Sequence, residues 1–542
     1  MKKLFLNGEI ITSNDLMPTV EAVLIEDNNI IKVGSKDELL KLTDEKTEII
    51  DLDGKTMLPG FIDAHSHIIA VAQTLMIVNL SEVNSKEEFI ETLKKSLENN
   101  SPKNGEWLIG FGYDNTRYEN EEHPTKFDLD KVSSDIPIFI SHASGHIATT
   151  NSKALEAFGY VGENYEVPEG GVVRTVEGTN EPNGVLEENA CLSPEKRKVI
   201  PAPSVETLLS CIRKAQEIYA SYGLTTAQDA SIDENLNGLL NLAAQKNQLI
   251  IDIVGQAVQH TTLKLLKNEG SPKRTYYNHY KLLGGKTWLD GSPQGKTAWL
   301  TKPYYEVPEG ESKDYCGYPT QEDEVVIEYF KSLIENNIQV NVHCNGDAAS
   351  DQFIRCYRKA LEITNNKMDL RPVMVHAQTV REDQLDEMKK LGIIPTFFLD
   401  HIWFWGDYHY ESVLGPERAN RISPAKSALK RGMNFTLHQD SPVKMPNQIL
   451  AIHNAVNRET QSGRILGEDQ RLTVMEAIKA LTINAAYQYF EEDEKGSIEE
   501  GKLADFVILD KNPLKVNTSK IKDIKVLETI KEGNTVYKIN SV

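Results

Sequence analysis

Two histidines one residue apart close a short apolar run, LPGFIDAHSHI at positions 58–68, and could together bind a metal ion. His65 and His67 would project to the same side of a β-strand, because side chains at i and i+2 share a face. Imidazole is the commonest metal ligand in proteins. The chain has 13 histidines, however, so this pair taken alone fits a surface or structural role equally well.

Four later residues that could bind a metal lie at or near the ends of other apolar runs. They are His343 in IQVNVH, His376 in PVMVH, Asp440 in MNFTLHQD and Lys286 in KLLGGKTWLD. A buried histidine can simply be hydrogen-bonded in a core, and an aspartate after a strand often caps a helix. A lysine in an apolar strand is harder to explain, since burial of an unpaired ammonium is costly. The joint occurrence of all four favours one metal site.

The elements that must position these residues are eight apolar, β-branched runs that alternate with helical patterns. This alternation predicts the α/β class with a parallel sheet. Eight strands predict a (β/α)8, TIM-like barrel, whose active site forms at the carboxyl ends of the strands. The predicted strands are 60–65, 224–229, 249–255, 281–290, 338–344, 372–377, 393–398 and 433–440.

Both ends of the chain show a different pattern, with short β-like runs split by turn residues. Asn7-Gly8 is a strong hairpin signal, and GSIEEGKLADFVILD near the C-terminus has the same character. We therefore expect 1–58 and 491–542 to pair into one small β-sandwich domain.

The barrel is expected to span 59–490, with one long insertion. The gap between its first two predicted strands is far longer than the later gaps, which indicates an inserted subdomain over 75–215. An insertion after a strand emerges on the catalytic face of such a barrel. It is therefore expected to help shape the substrate pocket.

Composition narrows the class of protein. The formal net charge of −21 argues against binding to nucleic acid or to an anionic membrane. The five cysteines are scattered and include no CxxC pair, which suits a reducing compartment. The N-terminal apolar stretch is too short for a signal peptide, and no apolar run reaches the length of a membrane span. We expect a cytoplasmic protein without nucleic-acid or membrane partners.

Taken together, the motifs resemble those of the amidohydrolase superfamily, and within it the N-substituted formamide deformylase-like branch, amidohydrolase family 3. LPGFIDAHSH resembles the superfamily's first-strand signature. KTWLDGSPQGKTAWL, VHCNGDAA, VHAQTV and HQDSPV resemble later motifs of that branch. GHIATTNSKAL, RLTVMEAIKALTINAA and GSIEEGKLADFVILD match as well, so the resemblance runs from residue 58 to residue 510.

The resemblance implies a metal-dependent hydrolase with a binuclear centre. Imidazole and carboxylate ligands favour two Zn²⁺ ions, with manganese, iron or nickel as alternatives. A lysine carboxylated on its side-chain nitrogen would supply the bridging ligand. The implied ligands are His65, His67 and Asp440 for one ion, His343 and His376 for the other, and carboxylated Lys286 as the bridge.

The implied reaction is hydrolysis of a non-peptide C–N bond in a small-molecule amide, with N-formyl or N-acyl amines as the first hypothesis. Two ions about 3.5–4 Å apart would bind a shared water and lower its pKa toward about 7. The resulting metal-bound hydroxide would attack the carbonyl carbon. Asp440 would shuttle the proton of the water to the leaving amine.

Further residues are candidates for substrate binding or for support of the ligands. His438 shares the strand parity of Asp440 and should face the lumen. Asp63 is expected to orient a ligand histidine from behind. The remaining substrate-binding candidates are His146, which lies in a motif of the branch, and Trp403 and Trp405, which follow the seventh predicted strand.

Three alternatives stay open from the sequence. A mononuclear deaminase on the same fold typically carries a glutamate three residues after the fifth-strand histidine, whereas His343 is followed by Cys344, Asn345 and Gly346. A non-catalytic metal-binding regulatory protein is a second alternative, although no ligand position is degraded. An ester or lactone hydrolase is the third alternative, because the same activated water could attack the carbonyl carbon of an ester or lactone. The resemblance leaves the oligomeric state open, a homodimer included.

Overall fold

The computed structural model of the chain describes residues 1–99, 102, 105–118, 121–162, 164–267, 271 and 273–539. These residues form two compact units. The first comprises Met1–Ile69 and Arg213–Val542, and the second comprises Ala70–Ile212. Along the chain, the second unit therefore lies between the first and second strands of the sheet described next.

An eight-stranded, all-parallel sheet forms the centre of the first unit and confirms the α/β class predicted from the sequence. Each strand pairs with the next one along the chain. In chain order the strands are Phe61–Ile62, Leu224–Ile232, Asp252–Val258, Tyr280–Trp288, Gln339–Cys344, Val373–His376, Ile394–Phe397 and Thr436–Leu437.

The sheet curls until residues at its two edges touch. The backbone N–H of His67, beyond the first strand, donates to the carbonyl of Ser441, beyond the eighth, at 2.9 Å. Because all eight strands run in one direction, their carboxyl ends meet at one rim. This TIM-like arrangement brings residues that are far apart in sequence to the same edge.

Helices connect the strands, as parallel pairing requires. The helix Glu382–Leu391 shows how the sequence sets their ends, because Gly392 adopts a φ of 68° that favours glycine. Within the described part of the chain, no helix combines the length and apolar character needed to span a membrane. The helices that follow the second strand are Glu234–Gln245, Gln259–Leu266, Asp323–Glu335, Asp347–Thr364, Glu382–Leu391, Asp400–Tyr408, Gly415–Ala419, Ala425–Lys430, Gln448–Asn457, Val474–Ala480 and Ile483–Gln488.

Strands from both ends of the chain form two further sheets in the first unit. Phe5 of one sheet and Phe506 of the other lie with ring centroids 5.5 Å apart, within a shared apolar core. In spatial order the first sheet contains Asn29–Gly34, Ala22–Glu26, Lys2–Leu6 and Glu48–Asp51. The second contains Asn534–Lys538, Val526–Lys531, Phe506–Leu509, Thr56–Pro59, Glu9–Ile11 and Thr19–Val20.

A buried network of charges joins these terminal strands to the amino ends of the parallel sheet. Lys531 Nζ lies 2.8 Å from the carboxylate of Asp252 and 3.0 Å from that of Asp505. Lys495 also pairs with Asp252. Burial would raise the pKa of Asp252, but the two ammonium groups hold it well below its usual range. The carboxylate is therefore ionised and counters two buried cations.

The second unit is built on a six-stranded mixed sheet. In spatial order its strands are Gly171–Thr175, Pro182–Glu188, Ile147–Thr150, Ile138–His142, Leu108–Tyr113 and Ile77–Asn79. Its helices are Lys86–Asn99, Lys126–Leu129, Ser152–Phe158, Asn189–Leu192 and Pro194–Arg197. The helices Ile68–Thr74 and Val205–Ser221 cross the boundaries between the units.

Candidate metal centre

Six side chains named from the sequence converge at the carboxyl rim of the parallel sheet. They come from five different strand ends, which are the first, fourth, fifth, sixth and eighth. His65, Lys286 and His376 are buried, and the other three are partly exposed. They are His65, His67, Lys286, His343, His376 and Asp440.

One group of ligand atoms surrounds Oδ1 of Asp440. Nε2 of His65 lies 3.3 Å from it and Nε2 of His67 lies 3.5 Å from it. Lys286 Nζ lies 3.3 Å from Nε2 of the same His65. Tetrahedral zinc ligands at 2.0–2.1 Å from the ion are about 3.3 Å from one another. These donors therefore have the spacing of ligands around a single ion.

A second group lies on the other side of Asp440. His376 Nε2 is 3.0 Å from Nδ1 of His343 and 3.9 Å from Oδ2 of Asp440. The candidate ligand atoms of His65, His376 and Asp440 all lie within 4.8 Å of one another. Asp440 thus presents one oxygen to each group, which a carboxylate serving two neighbouring ions would do.

Partners on the outside of the site contact three of the candidate ligand rings, and acceptor oxygens set the tautomers of two of them, His65 and His343. Nδ1–H of His65 donates to Oε1 of Gln228 at 2.9 Å, and Nε2–H of His343 donates to the Gly291 carbonyl at 3.0 Å. Nδ1 of His67 lies 3.1 Å from the Ser231 hydroxyl. The other nitrogen of each ring is then free to offer a lone pair to a cation.

The orientation of Gln228 is itself fixed. Its Nε2 donates to the Ala64 carbonyl at 3.2 Å and to the Tyr489 hydroxyl at 2.9 Å, which turns Oε1 toward His65. Asp63, expected to orient a ligand histidine, contacts the backbone of His65 rather than its ring, since Oδ1 of Asp63 accepts the backbone N–H of His65 at 3.3 Å. Gln228 and Ser231 were not predicted as site residues, because their strand, Leu224–Ile232, carries no recognisable motif.

Burial keeps the imidazoles neutral. It lowers the pKa of His65 to about 3 and that of His343 to about 4, with a further contribution from the Lys286 charge. Burial also holds the pKa of His376 well below its usual range. Neutral imidazoles keep the lone pairs that metal binding needs.

The pKa values of Asp440 and Lys286 are both lowered, which keeps the aspartate charged and favours the neutral form of the lysine. Burial would raise the pKa of Asp440, but its contacts with His65 and His67 hold it well below the usual range, so it is a carboxylate. Burial lowers the pKa of Lys286 to about 7. A substantial fraction of this lysine is therefore a neutral amine at neutral pH.

Two of the ligands have strained backbones. His376 has a φ of 74° and Asp440 has a φ of 56°, both in the left-handed region that favours glycine. Such conformations in other residues cost about 1–3 kcal/mol and concentrate at functional sites. The strain is consistent with side chains that are held for chemistry rather than for packing.

Two more imidazoles stand beside the ligands. The His438 ring lies 5.1 Å from that of His65 and 5.0 Å from that of His376, and neither of its nitrogens has a partner among the described residues. The buried His401 ring lies 6.4 Å from that of His376, and its Nδ1 also lacks a described partner. No motif identifies His401 from sequence, because it lies inside the helix Asp400–Tyr408.

The remaining candidates have different surroundings. The Trp405 ring lies 5.5 Å from that of His401, which links it to the site. The Trp403 ring lies 6.3 Å from that of His453. His146 belongs to the second unit, where its largely exposed ring lies 3.1 Å from the Glu188 carboxylate. Substrate binding by these three residues stays a prediction.

The donor set fits a divalent ion that prefers nitrogen and oxygen ligands. Four imidazoles, one carboxylate and one amine that carbon dioxide can convert into a carbamate suit zinc and its neighbours in the first transition series. Oδ1 of Asp440 and Nδ1 of His376 have no hydrogen-bond partner among the described residues. A bound cation would give the carboxylate oxygen a partner.

A family model matches most of the chain. The model of the amidohydrolase family aligns with residues 48–537. The match includes all eight strands of the parallel sheet and all six converging side chains.

Individual proteins are similar over nearly their whole length. The chain is 28% identical to protein LONG AFTER FAR-RED 3 of Arabidopsis thaliana, covering 98% of this chain and 91% of that protein. It is 26% identical to the N-substituted formamide deformylase of Arthrobacter pascens, covering 98% of each. A crystal structure of an uncharacterized metal-dependent hydrolase from Pyrococcus furiosus superposes with a TM-score of 0.74 at 26% identity, covering 95% of this chain and 100% of that one.

Proposed function

Because this chain belongs to the amidohydrolase family and is a hydrolase of non-peptide carbon–nitrogen bonds, we propose that its substrates are N-formyl or N-acyl amines. The observation that carries the proposal is the position of Asp440 between two groups of imidazoles. The similarity to an N-substituted formamide deformylase supports the formyl group as the first acyl group to test.

Two divalent ions, with zinc favoured, are proposed to bind at this rim. When bound, they acidify a water molecule and polarise the substrate carbonyl. The two groups of ligand atoms and their spacing support two positions rather than one. The proposed ligands are His65, His67 and Asp440 in one position and His343 and His376 in the other, with Lys286 between them.

Lys286 is proposed to bind as its carbamate. A neutral amine adds carbon dioxide, and the lowered pKa of this buried lysine makes the neutral form available near pH 7. The product is a carboxylate, which two cations would stabilise. Among the described residues no carboxylate lies within 4 Å of Lys286 Nζ, so the unmodified ammonium would be poorly compensated.

Asp440 is proposed to carry the proton. Its carboxylate is ionised and its two oxygens face both ligand groups, so it can take a proton from the attacking water and deliver it to the leaving nitrogen. His438, which has two unpartnered nitrogens beside His65 and His376, is proposed to donate a hydrogen bond to the substrate oxygen.

The alternatives make different demands on the site. A deaminase would need an acid three residues after His343, but Gly346 occupies that position, and its backbone N–H donates to the Asp290 carboxylate at 2.7 Å. A regulatory role without turnover would tolerate the loss of ligands, yet every proposed ligand is present and converges. Ester or lactone hydrolysis needs the same residues and is distinguished only by substrate.

The test is an assay of metal-replete protein on matched N-formyl, N-acyl, lactam, ester and lactone compounds. We expect release of amine from the N-formyl or N-acyl members, and a loss of about 10²–10⁴-fold in Asp440→Asn. Asp53→Asn, at an exposed carboxylate, is the matched control and should keep full activity. Turnover of esters or lactones with every amide untouched would show that the amide proposal is wrong.

A further inference from the structure

One buried aspartate lies beside the ends of two neighbouring strands that carry candidate ligands. Lys286 lies near the end of the fourth strand, Tyr280–Trp288, and His343 lies near the end of the fifth, Gln339–Cys344. The two strands pair in parallel, so their carboxyl ends are adjacent. Asp290 follows the fourth strand, and its side chain is fully buried. The mechanism proposed above gives this carboxyl group no role.

The carboxyl group of Asp290 accepts three backbone hydrogen bonds. Oδ1 accepts from the N–H of Asn345 at 3.0 Å, and Oδ2 accepts from that of Gly346 at 2.7 Å. Oδ2 also accepts from the N–H of Trp299 at 3.0 Å. The first two donors follow His343 in the chain, whereas Trp299 belongs to the loop after the fourth strand. One side chain therefore holds that loop against the end of the fifth strand.

The loop and the strand end approach so closely that only glycine fits at one position. A Cβ atom on Gly346 would lie 1.8 Å from the carbonyl oxygen of Trp299 and 2.4 Å from its carbonyl carbon. The same Trp299 carbonyl accepts the N–H of Ala348 at 3.1 Å. The loop thus packs directly on the backbone that follows His343, and a shift of the loop would move that backbone.

The loop also supplies the hydrogen-bond partner of the His343 ring. The carbonyl of Gly291, the residue after Asp290, accepts the N–H at Nε2 of His343 at 3.0 Å. Oδ1 of Asp290 lies 3.7 Å from the same Nε2, which is too far for a direct hydrogen bond. The backbone N–H of Leu289 donates to the His343 carbonyl at 3.1 Å. Asp290 therefore acts on the ring through the position of Gly291.

We propose that Asp290 is a positioning residue for His343 and fixes the direction in which Nδ1 of that ring offers its lone pair to a metal ion. The inference rests on the proposed binuclear centre and not on the identity of the substrate. In Asp290→Asn the side chain keeps nearly the same size, but only one of its two terminal atoms can accept a hydrogen bond. At least one of the three N–H groups would then lose its acceptor. Partners that orient a metal-bound histidine typically contribute about 10–100-fold to metal affinity.

A double-mutant cycle on the metal-free protein tests this role, with chelator competition for Zn²⁺ in the presence of bicarbonate as the readout. We expect Asp290→Asn to lower zinc affinity about 10–100-fold. The same loss should follow in a His67→Ala background, because the His343 ring is still present there. In a His343→Ala background, Asp290→Asn should cause no further loss, since the ring on which it acts is gone. Unchanged affinity in Asp290→Asn, or an equal further loss in both backgrounds, would overturn the proposed role.

Asp347→Asn is the matched control. Oδ1 of Asp347 accepts the N–H of Thr301 at 2.9 Å, so this aspartate also holds an end of the loop. Its side-chain partners in the described part of the chain are Thr301 and Arg381. Asp347→Asn should therefore leave zinc affinity unchanged. Equal losses in Asp347→Asn and Asp290→Asn would attribute the effect to a loosened loop and would overturn the role of Asp290.

Hydrogen exchange of the metal-free protein gives a readout that needs neither metal nor substrate. Asp290→Asn should speed amide exchange in the peptides that contain Trp299, Asn345 and Gly346, and exchange at the wild-type rates would overturn the inference. Absence of zinc binding by wild type would overturn it together with the binuclear centre. The predicted losses of zinc affinity without hydrolysis of any amide would support the role of Asp290 and contradict the proposed substrates. Amide hydrolysis with full zinc affinity in Asp290→Asn would do the reverse.

Discussion

Nζ of Lys286 lies 3.3 Å from Nε2 of His65 in a buried site, where a lysine faces an imidazole lone pair instead of a carboxylate. Such a contact stabilises an ammonium poorly and suits a lysine whose proton has been lost. It also places the nitrogen beside the ligand group around Asp440. The relationship explains why a lysine sits in an apolar strand, and it leads to the first two predictions.

Replacement of Lys286 by methionine should remove the bridging ligand while keeping the volume of the side chain. We expect the metal content to fall and amide hydrolysis to drop by ~100-fold or more, because both ion positions lose a ligand. Added acetate or propionate should restore part of the activity by occupying the space of the carbamate. A methionine variant with full metal content and unchanged activity would contradict the role of Lys286.

The pKa of Lys286 predicts a pH window for the metal-free protein. Burial lowers this pKa from 10.5 to about 7, so between these values the folded chain binds fewer protons than the unfolded chain. The contribution of Lys286 to the free energy of unfolding, taken as the difference between wild type and Lys286→Met, should therefore rise with pH across this window, and zinc uptake with bicarbonate should rise as the pH passes about 7. His65 and His343 are neutral well below this range and do not contribute. Denaturant titrations measure the first rise and uptake assays the second, and Lys286→Met should lack both.

Gln228→Leu tests the tautomer of His65. Loss of the acceptor at Nδ1 should weaken metal affinity by about 10–100-fold, as for other residues that orient a metal ligand. A competition assay with a chelator measures the change. Gln352→Leu is the control, because this buried glutamine donates to Asp323 at 2.9 Å and touches no proposed ligand. Equal affinities in the two variants would show that Gln228 does not orient His65.

Asp252→Asn tests the charge network beneath the sheet. The change leaves Lys495 and Lys531 buried with less negative charge, and removal of one partner of a buried pair costs about 3–5 kcal/mol. The depressed pKa of Asp252 means that its contribution is present above about pH 4 and is lost as the pH falls further. Denaturant unfolding of the variant and of Asp15→Asn, which breaks only an exposed pair, measures the effect. Equal stability of the two variants would contradict the network's role.

The strands and the ligand candidates could be predicted from sequence because each leaves a local signal. Apolar runs of strand length identify the eight strands, and an unexpected histidine, lysine or aspartate at a run's end identifies a candidate. His343 illustrates this, since it ends the run IQVNVH and lies at the carboxyl end of the strand Gln339–Cys344. The parallel arrangement then brings such ends to one rim.

The residues that sequence reasoning missed act through contacts that have no local pattern. Gln228 lies in an ordinary strand, and only the pairing of that strand with Phe61–Ile62 places its amide against His65. His401 lies in an aromatic helix whose sequence resembles a core segment. Each of these depends on tertiary geometry rather than on spacing.

The most direct test of the account is a titration of the metal-free protein with Zn²⁺ in the presence of bicarbonate, with amine release from the best N-formyl or N-acyl substrate as the readout. We expect no hydrolysis at the start and an increase that saturates at two ions per chain. Hydrolysis by the metal-free protein, or saturation at one ion, would contradict a binuclear centre with Lys286 between its two ions.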